Sequence, residues 1–132
     1  MEKIFHITPS LEHVVGATRD VREFLANKKL SDKSLFALDL TIEEILTNII
    51  KYSSSEKEIT ITALISNNDY ELKFCYFGNY FDPTKQHEID VNQPLEERKI
   101  GGLGLGMVKK FVKEMSYTHS DNFNTLTIKI DY

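Results

Sequence analysis

Residues 97–115 read Glu97-Arg-Lys-Ile-Gly-Gly-Leu-Gly-Leu-Gly-Met-Val-Lys-Lys-Phe-Val-Lys-Glu-Met115, and four of the chain's six glycines fall inside them, at Gly101, Gly102, Gly104 and Gly106. Leu103, Met107, Val108, Phe111, Val112 and Met115 stand at helical spacing, which predicts a glycine-rich loop running straight into a helix. Glycines let the backbone come close to a ligand, and the first turn of a helix offers unpaired N–H groups at the positive end of its dipole. A phosphate fits such a place. So does close packing of a loop against its neighbour, which asks for the same glycines. Two better-known phosphate motifs are excluded by spacing: there is no Gly-Lys-Ser/Thr ending of a P-loop, and no GxGxxG directly after a strand.

Outward from this stretch, the chain of 132 residues is read as one domain, 1–132. A net charge of −4 without a basic stripe gives no reason to expect nucleic-acid binding, and an acidic surface points to a protein partner. No apolar run approaches the roughly 18 residues of a membrane span. The start, Met1 to His6, lacks the apolar core of a signal peptide, so a cytoplasmic protein with no membrane contact is expected. The lone Cys75 excludes an internal disulfide, and the four histidines are scattered without metal-ligand spacing.

Lys3 to Ile7 is a strand candidate, ended by Thr8-Pro9 as the cap and first residue of a helix reaching about Asn27. Leu11, Val14, Val15, Val21, Phe24 and Leu25 supply its apolar face. Ser31-Asp32 caps a second helix, in which Leu35, Leu38, Ile42, Ile45, Leu46 and Ile49 form one stripe up to about Tyr52. Glu58 to Ile65 and Tyr70 to Phe77 alternate as strands joined by the turn Asn67-Asn68-Asp69. The polar segment from about 84 to 100 has no sustained period and is expected to form a lid. Tyr117 to Ser120 and Phe123 to Tyr132 read as a closing hairpin. The order β-α-α-β-β-(lid)-α-β-β predicts an α+β, two-layer sandwich, with a mixed, mostly antiparallel sheet covered on one face by three helices.

On the second helix, Glu44 and Asn48 project within about 40° of each other at the edge of the apolar stripe, while Glu43 points to solvent. A carboxylate and an amide one turn apart suit an activated hydroxyl and a Mg²⁺ shell, and the same pair also marks an ordinary helix edge.

Thr41-Ile-Glu-Glu-Ile-Leu-Thr-Asn48, Phe81-Asp82-Pro83 and Gly101-Gly-Leu-Gly-Leu-Gly106 resemble, in order and spacing, the N box and the two glycine boxes of the histidine-kinase-like ATPases (GHKL superfamily). The short length, the Glu44-x-x-x-Asn48 form and Glu97-Arg98 ahead of the glycines look most like the stand-alone anti-sigma-factor serine kinases. The resemblance implies a Bergerat-type ATP-binding fold, with Asn48 on the Mg²⁺ that bridges the ATP phosphates and Glu44 as general base toward a substrate serine. It implies that Gly102, Leu103, Gly104, Leu105 and Gly106 line the phosphate site, that Gly78 shapes the first glycine box and that Arg98 reaches a phosphate or the partner. The partner it implies is a sigma factor or a STAS-type antagonist, in the service of transcription regulation, with a homodimer left open.

One position departs from the family. Its first glycine box reads Asp-x-Gly-x-x-Phe, the aspartate accepting from the adenine amino group; the same register here gives Tyr76-Phe77-Gly78-Asn79-Tyr80-Phe81. An adenine amino group buried without its acceptor costs about 1–3 kcal/mol, about one to two decades in affinity. Three readings follow from these residues: an ATP-dependent serine kinase that sequesters a sigma factor, a degenerate relative that binds its partner without turnover, and an unrelated enzyme using the loop for another anion. The motif order disfavours the third.

Overall fold

The computed structural model describes residues 1–53, 56–85 and 102–132, with the side chains of 102–104 outside the description. Strand β1 (Glu2–Ile7) leads through a turn of 3-10 helix (Leu11–His13) into α1 (Val14–Phe24) and α2 (Asp32–Tyr52). β2 (Ile59–Ile65) and β3 (Asp69–Phe77) follow, then α3 (Gly102–Phe111), β4 (Glu114–Ser120) and β5 (Phe123–Asp131). The strands form one sheet in the order β1-β2-β3-β5-β4, and all four pairings are antiparallel. The parallel pair that a mixed sheet would contain does not occur among these strands, because β5 returns beside β3 in the opposite direction.

The period-2 patterns decide which face is covered. On β3, Tyr70, Leu72, Phe74 and Tyr76 are fully buried while Glu71, Lys73 and Cys75 look the other way; on β5, Asn124, Leu126, Ile128 and Ile130 share the buried face. α2 lies over this face, with Leu38, Ile42, Ile45, Leu46 and Ile49 buried, and both α1 and α3 pack on it. Ser31 starts the helix: its backbone is extended and its hydroxyl accepts from the Ser34 N–H at 3.1 Å.

Two helices are shorter than their apolar patterns. α1 begins at Val14, and its buried line is Val14, Ala17 and Val21, so Val15, one residue and about 100° further round, stands 77% exposed beside an exposed Leu11. α3 ends at Phe111 because the next residues are claimed by the sheet: the Lys113 N–H donates to the Lys129 carbonyl at 2.8 Å, and Met115 lies opposite Ile128 as part of β4. The β4–β5 turn places Asp121 and Asn122 at φ 52° and 64°, the left-handed pair that a two-residue hairpin turn matched to strand twist requires. The lid expected over 84–100 lies, apart from Thr84 and Lys85, outside the described residues. No helix among the described residues is long and apolar enough to cross a membrane.

Replacing Ser31 by alanine removes the α2 cap and is expected to lower unfolding free energy by about 1 kcal/mol. Urea denaturation reads this directly, and a midpoint equal to that of the natural protein would show that the cap contributes nothing.

Candidate functional site

α2 carries the chemistry along one edge. Thr41, Glu44, Asn48 and Tyr52 recur at helical spacing and share a stripe, one residue round from Asp39, Glu43 and Thr47, which face a groove beside α1. Glu43 is exposed and Glu44 half-buried, whereas Asn48 is only 8% exposed. Thr41 is fully buried, and its hydroxyl has no hydrogen-bond partner among the described residues, an uncommon state for a buried polar group. Burial raises the Glu44 carboxyl above its ordinary value; nearby Glu43 raises it further, and Lys51 opposes both.

α3 packs against α2. Phe111, its last residue, meets Phe36 near the beginning of α2, ring centroids 5.1 Å apart. Only four residues of α2, about 6 Å of helix, precede Phe36. Leu105 is buried in the core and Gly106 half-buried; for Gly102, Leu103 and Gly104 the backbone is helical, and Arg98 lies outside the described residues.

At the far end of the stripe the Tyr52 ring lies 6.2 Å from Phe81, and Phe81 lies edge-on to Tyr76 at 6.4 Å. Tyr76 faces the helix layer and is 1% exposed. Its hydroxyl donates to the Phe81 carbonyl at 2.6 Å, and burial drives its pKa so far up that it remains a neutral donor. Directly opposite Tyr76 across the β3–β5 ladder stands Asn124, fully buried. Its amide nitrogen reaches the carbonyls of Tyr76, Gly78 and Asn79 at 3.3, 3.3 and 3.2 Å. Its oxygen accepts from the Phe81 N–H at 3.0 Å and from the Tyr117 hydroxyl. Tyr117 in turn accepts from the same Phe81 N–H at 3.1 Å. Gly78, at φ 138°, occupies backbone space that a side chain would strain, and its N–H donates to the Asn122 carbonyl at 2.7 Å.

Asn124 was not singled out by sequence, although a signal existed: it stands two residues before Leu126 on the inward face of β5, where an apolar residue belongs. A buried amide at such a position has to bond inward. The two prominent grooves lined by described residues, about 740 Å³ between α1 and α2 and about 960 Å³ between β1 and α1, include none of Glu44, Asn48 or Tyr76. The chemistry-bearing side chains lie on the other edge of α2, so volume alone is a poor guide here.

A family model described as the histidine kinase-like ATPase domain matches residues 7–130. The chain belongs to that family. The serine/threonine-protein kinase BtrW of Bordetella bronchiseptica is 28% identical over 130 residues, covering 92% of this chain and 92% of that protein. The serine-protein kinase RsbW of Listeria monocytogenes is 27% identical over 99 residues, 70% of this chain and 63% of its own length. RsbW of Bacillus cereus is 25% identical over 135 residues, 97% of this chain and 84% of its own length. A crystal structure of the RsbU and RsbW domains of a Mycobacterium tuberculosis protein aligns over 98% of this chain and 32% of that one, with a TM-score of 0.67 at 17% identity. That match is one of fold.

Asn124→Ala strips partners from three carbonyls and removes one acceptor of the Phe81 N–H, and is expected to cost about 2–3 kcal/mol of stability. Tyr76→Phe, which removes a single donor, is expected to cost about 1 kcal/mol. Chemical denaturation ranks the two, and a smaller loss for Asn124→Ala would show that the amide is not the hub of this network.

Proposed function

We propose that this chain is a regulatory protein of the anti-sigma-factor kinase type, which holds a sigma factor or a STAS-type antagonist and phosphorylates a serine of the antagonist using ATP. The observation that carries the reading is the edge of α2: Glu44 and the buried Asn48 one turn apart, with the Thr41 hydroxyl, which has no partner among the described residues, on the same stripe. The names of the relatives, serine and serine/threonine kinases, support it.

The donor set suits the metal and phosphate end of the ligand. No group of three or more His, Cys, Asp or Glu among the described residues is placed to hold a metal. Mg²⁺ needs no such cage when phosphate oxygens and water complete its shell around one protein oxygen, here that of Asn48. Bound there, Mg-ATP supplies a transferable γ-phosphoryl whose charge the metal offsets. Unpaired backbone N–H groups in the first turn of α3, at Gly102, Leu103 and Gly104, would cradle the phosphates, with Leu105 and Gly106 shaping the turn behind them and Arg98 as a further cation. Glu44 would accept the serine proton as the serine oxygen bonds the γ-phosphorus and the bond from that phosphorus to the β-phosphate breaks, releasing ADP. The adenine end does not fit in the same way, because Tyr76 stands where the family has a carboxylate. That position favours a second reading, in which the chain sequesters its partner without turnover.

The sign of the Glu44 shift gives a test. Folding raises its pKa, so the folded protein binds this proton more readily than the unfolded chain; the ionised carboxylate therefore weakens the fold above the raised pKa, and the penalty fades as pH falls. Glu44→Gln is expected to melt higher than the natural protein at pH 7, to lose that advantage near pH 4, and to transfer no phosphate. Asn48→Ala is expected to abolish Mg²⁺-dependent binding of ATP. Phosphotransfer from labelled ATP to a STAS-type protein, undiminished in both variants, would end the roles given to Glu44 and Asn48, while partner binding without transfer in the natural protein would end the kinase assignment and establish the second reading.

A further inference from the structure

α1 holds a glycine that the folded chain does not require. Gly16 lies inside the helix, where glycine costs about fivefold in the folding equilibrium relative to alanine. Its backbone is helical, so no left-handed conformation asks for it. Close packing does not ask for it either: beyond the helix's own backbone, the nearest atom that a methyl group on Gly16 would meet is an Arg19 guanidinium nitrogen at 3.7 Å, an ordinary contact. The notch left by the missing side chain opens outward.

Apolar surface stands beside that notch. Leu11 and Val15 are 53% and 77% exposed, and with Arg19 and Glu23 they form a ridge at four-residue spacing along the 3-10 turn and α1. Val15, Arg19 and Glu23 line both grooves, the one toward α2 and the one toward β1, so the ridge stands between them. In the groove on the β1 side the neighbouring row is Glu12, Gly16 and Asp20. A ridge beside a groove of the same four-residue row is what a second helix needs in order to interlock.

The face is also complementary to itself. The midpoint between Val15 and Gly16 is equally far, about one helical turn, from Glu12 on one side and from Arg19 on the other. A twofold axis through that point sets Val15 of each copy over Gly16 of the other and brings each Glu12 opposite an Arg19. The present partner of Arg19, Asp20 at 3.6 Å, is an exposed neighbour on the same helix and competes little. A partner of unrelated sequence would not call for this symmetry. We propose that the outer face of α1 is the contact between two copies of this chain, crossing antiparallel in an isologous homodimer. The contact lies on the α1 side of α2 and leaves the edge with Glu44 and Asn48 open.

Sedimentation equilibrium over a range of concentrations tests it. The natural protein is expected to dimerise with a dissociation constant on the order of 10–100 µM, since one helix pair buries less than a standard interface. Gly16→Ala fills the notch and is expected to weaken the dimer about tenfold while raising the melting temperature of the dilute monomer, a pair of opposite signs that a glycine kept for the fold would not give. Glu12→Arg and Arg19→Glu are each expected to weaken the dimer about tenfold, and the double variant, which reverses both pairs at once, to restore it. A natural protein that stays monomeric up to about 1 mM, well above that range, overturns the proposal. So does a dimer that Gly16→Ala leaves unchanged, or one that the double charge reversal does not restore.

Discussion

A sheet with one apolar face has to be covered, and in this chain one helix does most of the covering. Leu38, Ile42, Ile45, Leu46 and Ile49 of α2 are withdrawn from water almost completely. At about 1.5–3 kcal/mol for each such side chain, their burial is worth on the order of 10 kcal/mol, comparable to the whole net stability of a small domain. The roll of α2 about its own axis is therefore not adjustable. Once its stripe is seated, Glu44 and Asn48 can emerge only along the α3 edge, and Asp39, Glu43 and Thr47 only along the α1 edge. The direction in which Glu44 and Asn48 project is thus a by-product of core packing.

The first glycine box shows a different economy. A carboxylate at position 76, facing this interior, would be costly whenever its ligand is absent. Tyrosine removes the cost by filling the space with a ring and turning its hydroxyl onto a nearby carbonyl. Asn124, Tyr117 and Phe81 complete the arrangement, so that the turn from Gly78 to Phe81 is held by protein atoms alone. At that point the structure is held by its own hydrogen bonds.

How much of this was legible in the sequence depends on the range of the interaction. The Ser31 cap, the α2 stripe and the alternation of β3 are local patterns, and each appears where its residues predict it. The ends of α1 and α3 were misread because an apolar residue at helical spacing can equally be an exposed one, as Val15 is, or belong to the next strand, as Met115 does. Tyr76 announced itself by departing from a motif. Asn124 did not, because its importance lies in the β3–β5 register, 48 residues apart in sequence, and no local pattern encodes which residue stands opposite which. That the Thr41 hydroxyl finds no partner among the described residues is likewise a property of packing.

The same register ties together parts of the chain that would otherwise open separately. β4 is an edge strand, and edge strands are ordinarily the first to fray. Here Tyr117, in the middle of β4, and His119, near its end, both bond to the turn that follows β3. The Asp121-Asn122 turn contributes a carbonyl to the same place. Peeling β4 from β5 therefore breaks the support of the 78–81 turn in the same event. The edge of the sheet and the 78–81 turn form one cooperative unit of local unfolding, so whatever grips one of them steadies the other.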